Sequence, residues 1–214
     1  MNNFFEKTMS NNSPTPALDV SNIEKNPFLQ FEKWYGEAYK ISGEEASAMT
    51  IATVSKKQPN ARTVYLRGSD KKGFWFFTNY KSKKGRELEE NNNACILFFW
   101  HRLFRQVKML GHVEKLSGKE SDNYFNERPR ESQIGAWASA QSQPLPDRAA
   151  LDNLVAEYTK KFEGRVVTRP KYWGGFRFIP TYFEFWYGRE SRLHDRIVFI
   201  KQKNGSWKIE RLSP

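Results

Sequence analysis

Apolar side chains recur along this chain with two spacings, one helical and one strand-like, arranged in blocks. From Phe28 to Ile41 the spacing places Phe28, Phe31, Trp34, Tyr35 and Ala38 on one helical stripe, with Asn26 as cap and Pro27 at the first helical position. Runs rich in β-branched and aromatic residues then predict strands over 49–55, 61–66, 74–78, 94–100 and 105–116. Lys57-Gln58-Pro59-Asn60 and Asp70-Lys71-Lys72-Gly73 read as hairpin turns. Helices are expected from Ser82 to Glu90, over 117–126, over 132–139, and from an Asp147 cap to Phe162. The last turns Leu151, Leu154, Val155 and Tyr158 inward. Strands over 174–179, 182–187, 196–201 and 206–211 close the chain, and Asn204-Gly205 is a two-residue hairpin signal between the last pair. Hairpin-linked strands with inserted helices imply an antiparallel barrel rather than a βαβ sheet. Residues 1–25, rich in Asn, Ser, Thr and Pro, are expected to form a flexible tail, with a single domain from 26 to 214.

The 214 residues carry a net charge of +11 and 15% aromatic side chains. That excess charge raises the local concentration of anions without choosing among nucleic acid, headgroups and small phosphates. Lys and Arg are scattered in short pairs such as Lys56-Lys57, Lys71-Lys72 and Lys83-Lys84, which weakens a nucleic-acid role. No apolar run approaches the ~20 residues of a membrane span. The N-terminus lacks the basic start and apolar stretch of a secretory signal. Cys95 is the single cysteine, so no intrachain disulfide forms; it is expected to be a buried small hydrophobe, and a cytoplasmic home fits. His101, His112 and His194 show no helical metal spacing, and no metal site is expected. P-loop, Gly-x-Gly-x-x-Gly and Gly-x-Ser-x-Gly patterns are missing. Difficult chemistry would then need an organic cofactor held by cationic and aromatic groups.

Candidate chemistry gathers near the end of the chain, in Glu184-Phe185-Trp186-Tyr187-Gly188-Arg189-Glu190-Ser191-Arg192-Leu193-His194-Asp195-Arg196. If extended, this segment points Arg192, His194 and Arg196 the same way, a cationic row beside aromatic surface that suits a planar phosphorylated ligand. A solvated basic edge strand is the bland alternative. Arg62-Thr63-Val64-Tyr65-Leu66-Arg67 adds arginines on opposite strand faces. Phe77-Thr78-Asn79-Tyr80-Lys81-Ser82-Lys83-Lys84 runs into a helix N-terminus, where backbone N–H groups favour an anion. Trp100 to Val107 and Tyr124 to Trp137 are similar mixtures. Taken singly, each is better explained as charged surface.

Together these segments resemble the pyridoxamine 5'-phosphate oxidase family, from Asn26 to Pro214. The most specific parts are Glu184-Phe185-Trp186 through Arg192-Leu193-His194-Asp195-Arg196, then Arg128-Pro129-Arg130-Glu131-Ser132-Gln133-Ile134-Gly135-Ala136-Trp137, and the closing Trp207 to Pro214. The resemblance implies a mainly β FMN-binding split β-barrel with inserted helices. It further implies a homodimer with FMN at the subunit interface, and neither nucleic acid nor membrane as partner. FMN contacts carried over by motif are Arg62, Thr63, Val64, Tyr65, Leu66, Arg67, Phe77, Thr78, Lys83, Lys84, Gln106, Gln141, Ser142, Trp186 and Arg196. The substrate phosphate falls to Arg67, Tyr124, Arg128 and Ser132, and the pyridine ring to Arg192, Leu193 and His194, with Arg192 and His194 as catalytic residues. The implied reaction moves a hydride from substrate C4' to the flavin. It converts pyridoxamine or pyridoxine 5'-phosphate to pyridoxal 5'-phosphate, with O2 reduced to hydrogen peroxide.

The sequence departs from the family pattern at Arg67, usually lysine, at Phe77, usually tyrosine, and at Lys83, usually arginine. Glu45 stands where aspartate is common, and the family's N-terminal Arg-Arg-x-Tyr segment is not recognisable in residues 1–25. A flavin-binding split barrel of other specificity and a basic nucleic-acid-binding domain are the alternative readings.

Overall fold

The computed structural model describes residues 17–214. The helices are α1 (Pro27–Ser42), α2 (Lys83–Glu90), α3 (Gly118–Glu127), α4 (Arg130–Ala138) and α5 (Arg148–Lys161). The strands are β1 (Ala48–Ser55), β2 (Gln58–Tyr65), β3 (Gly68–Asp70), β4 (Gly73–Asn79), β5 (Asn93–Trp100), β6 (Arg105–Lys115), β7 (Trp173–Tyr187), β8 (Asp195–Lys201) and β9 (Trp207–Arg211). The chain divides into two compact units. One contains Ala48–Ile96 and Leu110–Pro180; the other contains the chain up to Ser47, Leu97–Met109 and Thr181–Pro214.

In the unit of Ala48–Ile96 and Leu110–Pro180 the strand order is β2-β1-β5-β6-β7-β4-β3. The turn between β1 and β2 is not the expected Lys57–Asn60. Ser55 pairs with Gln58, and Lys56 and Lys57 form the loop at φ 49 and 66. Such a primed turn matches strand twist, and here two lysines adopt it without glycine. Pro59 sits inside β2, which its edge position permits because no ladder donor is lost. The turn at Asp70–Gly73 forms as expected, with the Asp70 carboxylate accepting from the N–H groups of Lys72 and Gly73. Ser82, Ser117 and Asp147 cap α2, α3 and α5 through side-chain oxygens, and Ser117 with Glu120 makes a capping box. A core of Phe125, Ile134, Phe162, Val167 and Trp173 packs under α3 and α4. α5 buries no residue fully, and Val155, expected inward, is 37% exposed. Cys95 is half-buried because Ala94 and Ile96 take the core side of β5.

In the other unit, α1 forms with Asn26 and Pro27 as read from sequence, burying Phe31, Trp34 and Ala38. β8 pairs with β7 and with β9, both antiparallel. Lys201 pairs with Trp207, so the β8–β9 connection is Gln202–Ser206, longer than the expected two-residue turn. Part of the expected tail packs: Leu18 and Ile23 are buried. Residues 1–16 of that tail lie outside the described residues.

The strands expected over 174–179 and 182–187 are one continuous strand, β7. Its 173–178 half pairs with β4 and its 182–187 half with β8, so Pro180 falls between the two ladders. There a missing N–H removes no ladder bond on that side.

Candidate functional site

A cavity of about 430 Å³ opens in the unit of Ala48–Ile96 and Leu110–Pro180. Its wall brings together Thr63, Val64, Tyr65 and Arg67 from the β2 end, Phe77 and Thr78 from β4, and Lys84 from α2. Tyr124, Arg128 and Ser132 come from α3, α4 and the turn between them, and Gln141 from the following loop. Every one of these was expected from sequence as a site residue. Asn79, Gly135, Ala136, Ser139 and Trp173 also line it and were not assigned a role. Trp173 is the chief omission. It stacks on Phe77 at 5.5 Å, and Phe77 stacks on Tyr124 at 3.9 Å. Register explains its place, since Asn79 pairs with Trp173 where β4 meets β7.

The cavity's cations differ in how they are satisfied. Lys84 is buried, and its Nζ donates to Thr78 Oγ1 and to Gln141 Oε1, each at 3.1 Å. Burial and then the Arg62 charge push its ammonium below the usual lysine value, against the pull of Glu87. Arg128 is different. Its guanidinium lies over Trp173 at 4.7 Å, and Nη1 is buried with no hydrogen-bond partner among the described residues. Burial, helped by the Arg67 charge, holds its pKa below the ordinary arginine value. A buried, unsatisfied guanidinium N–H is expensive, so it marks a place for an anionic acceptor. The chemistry of this donor set fits a phosphorylated ligand, with aromatic faces to cover a flat ring.

Several expected contacts do not line the cavity. Leu66 is buried, while Lys83 and Ser142 are exposed. Arg62 turns its guanidinium to Glu87 at 2.7 Å, Thr53 Oγ1 at 2.7 Å and Ile51 O at 3.2 Å. Glu87 also accepts from Thr53 and Asn60, and these hydrogen bonds outweigh the upward push of burial on its carboxyl.

Gln106, Trp186, Arg192, Leu193, His194 and Arg196 belong to the other unit. The extended row expected for Arg192, His194 and Arg196 does not form. Only Arg196 lies in β8; Glu190–Arg192 is a short 3-10 turn, with Ser191 and Arg192 at φ 54 and 60. Gly188 begins this break, its N–H donating to Phe104 O at 2.8 Å. Arg192 and Leu193 are exposed, whereas His194 is half-buried with its ring 4.7 Å from Trp186. The Arg189 backbone N–H donates to His194 Nδ1 at 3.1 Å, so a neutral imidazole carries its proton on Nε2. Burial and the neighbouring Arg192 charge push the His194 pKa down, favouring that neutral form. Arg196 is held by buried Glu184 at 2.8 Å and by Ser213 O at 2.8 Å. Lys108 also pairs with Glu184.

A wider groove of about 960 Å³ lies along α4 and α5. Arg130 and Gln133, on its wall, already donate to backbone carbonyls of Phe162, Arg165 and Phe125.

The chain is similar to known proteins over most of its length. Residues 36–161 match the family model described as pyridoxamine 5'-phosphate oxidase. Residues 173–214 match that of the pyridoxine 5'-phosphate oxidase C-terminal dimerisation region. A pyridoxine/pyridoxamine 5'-phosphate oxidase from Nostoc punctiforme is 49% identical over 199 residues, 92% of this chain and 93% of the relative. One from Ralstonia pickettii is 50% identical over the same shares. Among solved structures, PhzG from Burkholderia lata, in complex with tetrahydrophenazine-1-carboxylic acid, is 28% identical with a TM-score of 0.86, covering 94% of this chain and 100% of that one. A pyridoxamine 5'-phosphate oxidase-related, FMN binding protein from Nostoc punctiforme has a TM-score of 0.68 at 15% identity, covering 86% and 97%, and carries likeness of fold alone. The mainly β, split-barrel fold with inserted helices is therefore the fold of this chain.

Proposed function

This chain belongs to the pyridoxine/pyridoxamine 5'-phosphate oxidase family, and we propose that it oxidises pyridoxine and pyridoxamine 5'-phosphates to pyridoxal 5'-phosphate with FMN as cofactor and O2 as acceptor. The observation that carries the proposal is the buried, unpartnered Arg128 Nη1 on a cavity wall shared with Arg67, Tyr124 and Ser132. A phosphate monoester supplies the missing acceptor and carries about −1.5 to −2 charges near neutrality. Arg67, Arg128, the Tyr124 hydroxyl and the Ser132 hydroxyl would hold it by charge-assisted and neutral hydrogen bonds.

FMN, when bound, takes up the two electrons leaving the substrate C4' carbon and passes them to O2, giving hydrogen peroxide. The chain's own side chains bind and orient. Lys84, Thr78 and Gln141 form a linked set of donors and acceptors for the cofactor's polar edge. Arg62 and Arg196 have their guanidinium groups held by Glu87 and Glu184, and their cofactor contacts are carried in this proposal by the family resemblance alone. Arg192, exposed, and His194, with a proton on Nε2, would align the pyridine ring, because ring alignment decides the rate of such a transfer. Homodimerisation, with FMN at the subunit interface, is part of the proposal. The match of 173–214 to a dimerisation region supports it, as do the exposed apolar side chains Tyr65, Phe99 and Leu110.

Oxygen consumption by the purified protein, supplied with FMN and each phosphorylated vitamer, tests the assignment. Uptake of O2 with formation of pyridoxal 5'-phosphate is expected. A yellow protein inert to both vitamers would instead be a flavin-binding split barrel of other specificity.

A further inference from the structure

We propose that Asp195 is a positioning residue: its buried carboxylate holds the Gly188–His194 loop in the strained conformation that presents Arg192 and His194 to substrate. The proposal rests on the roles given above to those two side chains. Asp195 is 8% exposed and collects donors from separate stretches of chain. Oδ2 accepts from Arg189 Nε at 2.8 Å and from the Leu18 backbone N–H at 3.1 Å, and Oδ1 accepts from Arg211 Nη1 at 3.1 Å. Arg211 in turn donates to Leu18 O at 2.6 Å and to the Asp19 carboxylate at 2.8 Å. The N-terminal segment and β9 thus fix the carboxylate from behind, and its bond to Arg189 is what reaches the loop.

The loop needs such an anchor. Ser191 and Arg192 occupy left-handed backbone conformations, at φ 54 and 60, that only surrounding contacts can maintain in non-glycine residues. Packing does not supply them, since Ser191, Arg192 and Leu193 are exposed, Leu193 by 69%. Arg189 is the joint. Its backbone N–H orients His194, and its guanidinium lies on Asp195 and over the Tyr187 ring at 4.3 Å. Loss of the Asp195 charge takes from Arg189 its carboxylate partner, lets the loop relax, and misaligns both ring-binding side chains together. A displacement of about 1 Å at such groups can lower turnover by roughly 10²-fold.

The test compares wild-type holoenzyme, Asp195→Asn, Arg192→Ala and the double variant by flavin content, steady-state kinetics with pyridoxine 5'-phosphate, and backbone hydrogen exchange over 188–194. The expected result is that Asp195→Asn keeps its flavin, exchanges faster in the loop and loses about 10- to 100-fold in kcat/KM. Added to Arg192→Ala it should cost clearly less than it costs alone, because the Arg192 share of its effect is already gone and only the His194 share is left. Wild-type kcat/KM in Asp195→Asn, or a loss that multiplies in full with that of Arg192→Ala, would overturn the proposal. If the wild type oxidises neither vitamer, the proposed function fails, and hydrogen exchange alone decides whether Asp195 holds the loop: an unchanged rate in Asp195→Asn refutes it. Should Asp195→Asn not fold, Arg189→Gln cuts the same ion pair, keeps the N–H to His194, and is held to the same outcomes.

Discussion

Arg128 is the side chain at which the proposed ligand role and the stability of the free protein pull against each other. Its Nη1 is buried and unpaired, while its guanidinium is spread over the faces of Trp173 and Phe125. Removing that group should therefore relieve the fold while damaging binding. Arg128→Met is expected to raise the KM for pyridoxine 5'-phosphate about 10- to 100-fold, matching a lost charged hydrogen bond of about 1.5–3 kcal/mol. Its thermal midpoint without substrate should not fall; a clear fall in a variant with normal KM would contradict the role. Arg192→Ala and His194→Ala should each keep bound flavin yet lose about 10²-fold in kcat/KM, measured by pyridoxal 5'-phosphate formation. Retained yellow colour with unchanged turnover in both would remove their assigned roles. Tyr124, Arg128 and Ser132 were legible in the sequence because they share a short motif. Trp173 was not, because it reaches the cavity through its pairing with Asn79 across β4 and β7, and no local pattern encodes that register.

Elements with local signals were equally readable. Asn26-Pro27, Ser82, Ser117 and Asp147 announced the starts of α1, α2, α3 and α5, since capping is decided by side chains within a few residues. The errors fall where tertiary contacts overrule local preference. Alternation predicted an extended Arg192–Arg196 row, but the Asp195–Arg189 pair and the Gly188 bond to Phe104 fold that stretch into a turn. The sequence was read as two strands, 174–179 and 182–187, where β7 runs on by changing partners. At this scale Glu87 is the critical carboxylate, since it joins β1, β2 and α2 through Thr53, Asn60 and Arg62. Glu87→Ala leaves the Arg62 guanidinium without its carboxylate partner and should cost about 3 kcal/mol by denaturant titration, with FMN affinity reduced as well. A loss below about 0.5 kcal/mol would place Glu87 among ordinary surface carboxylates.

For the whole molecule, the excess of cations makes carboxylates the stabilising minority. Burial pushes Glu184 up, but Lys108 and Arg196 bring it below its ordinary 4.5. Burial likewise raises Asp195 and is outweighed by Arg189 and Arg211, which leave it below 3.8. Groups depressed in the fold contribute stability that is complete above their unfolded values and lost as pH falls through the folded ones. Stability attributable to these carboxylates should therefore be flat from pH 7 to about 5 and fall below about pH 4, read by circular dichroism; replacing Glu184 with Gln should shrink that acid limb. The cations of the cavity wall, Arg67, Lys84 and Arg128, are proposed to grip the phosphates of FMN and of the vitamer. Anaerobic addition of pyridoxine 5'-phosphate to the FMN-loaded protein tests this directly. The flavin absorbance should bleach with one pyridoxal 5'-phosphate formed per flavin reduced, and admitting air should restore it. A protein that stays colourless in excess FMN, or whose bound flavin is unchanged by the substrate, would contradict it.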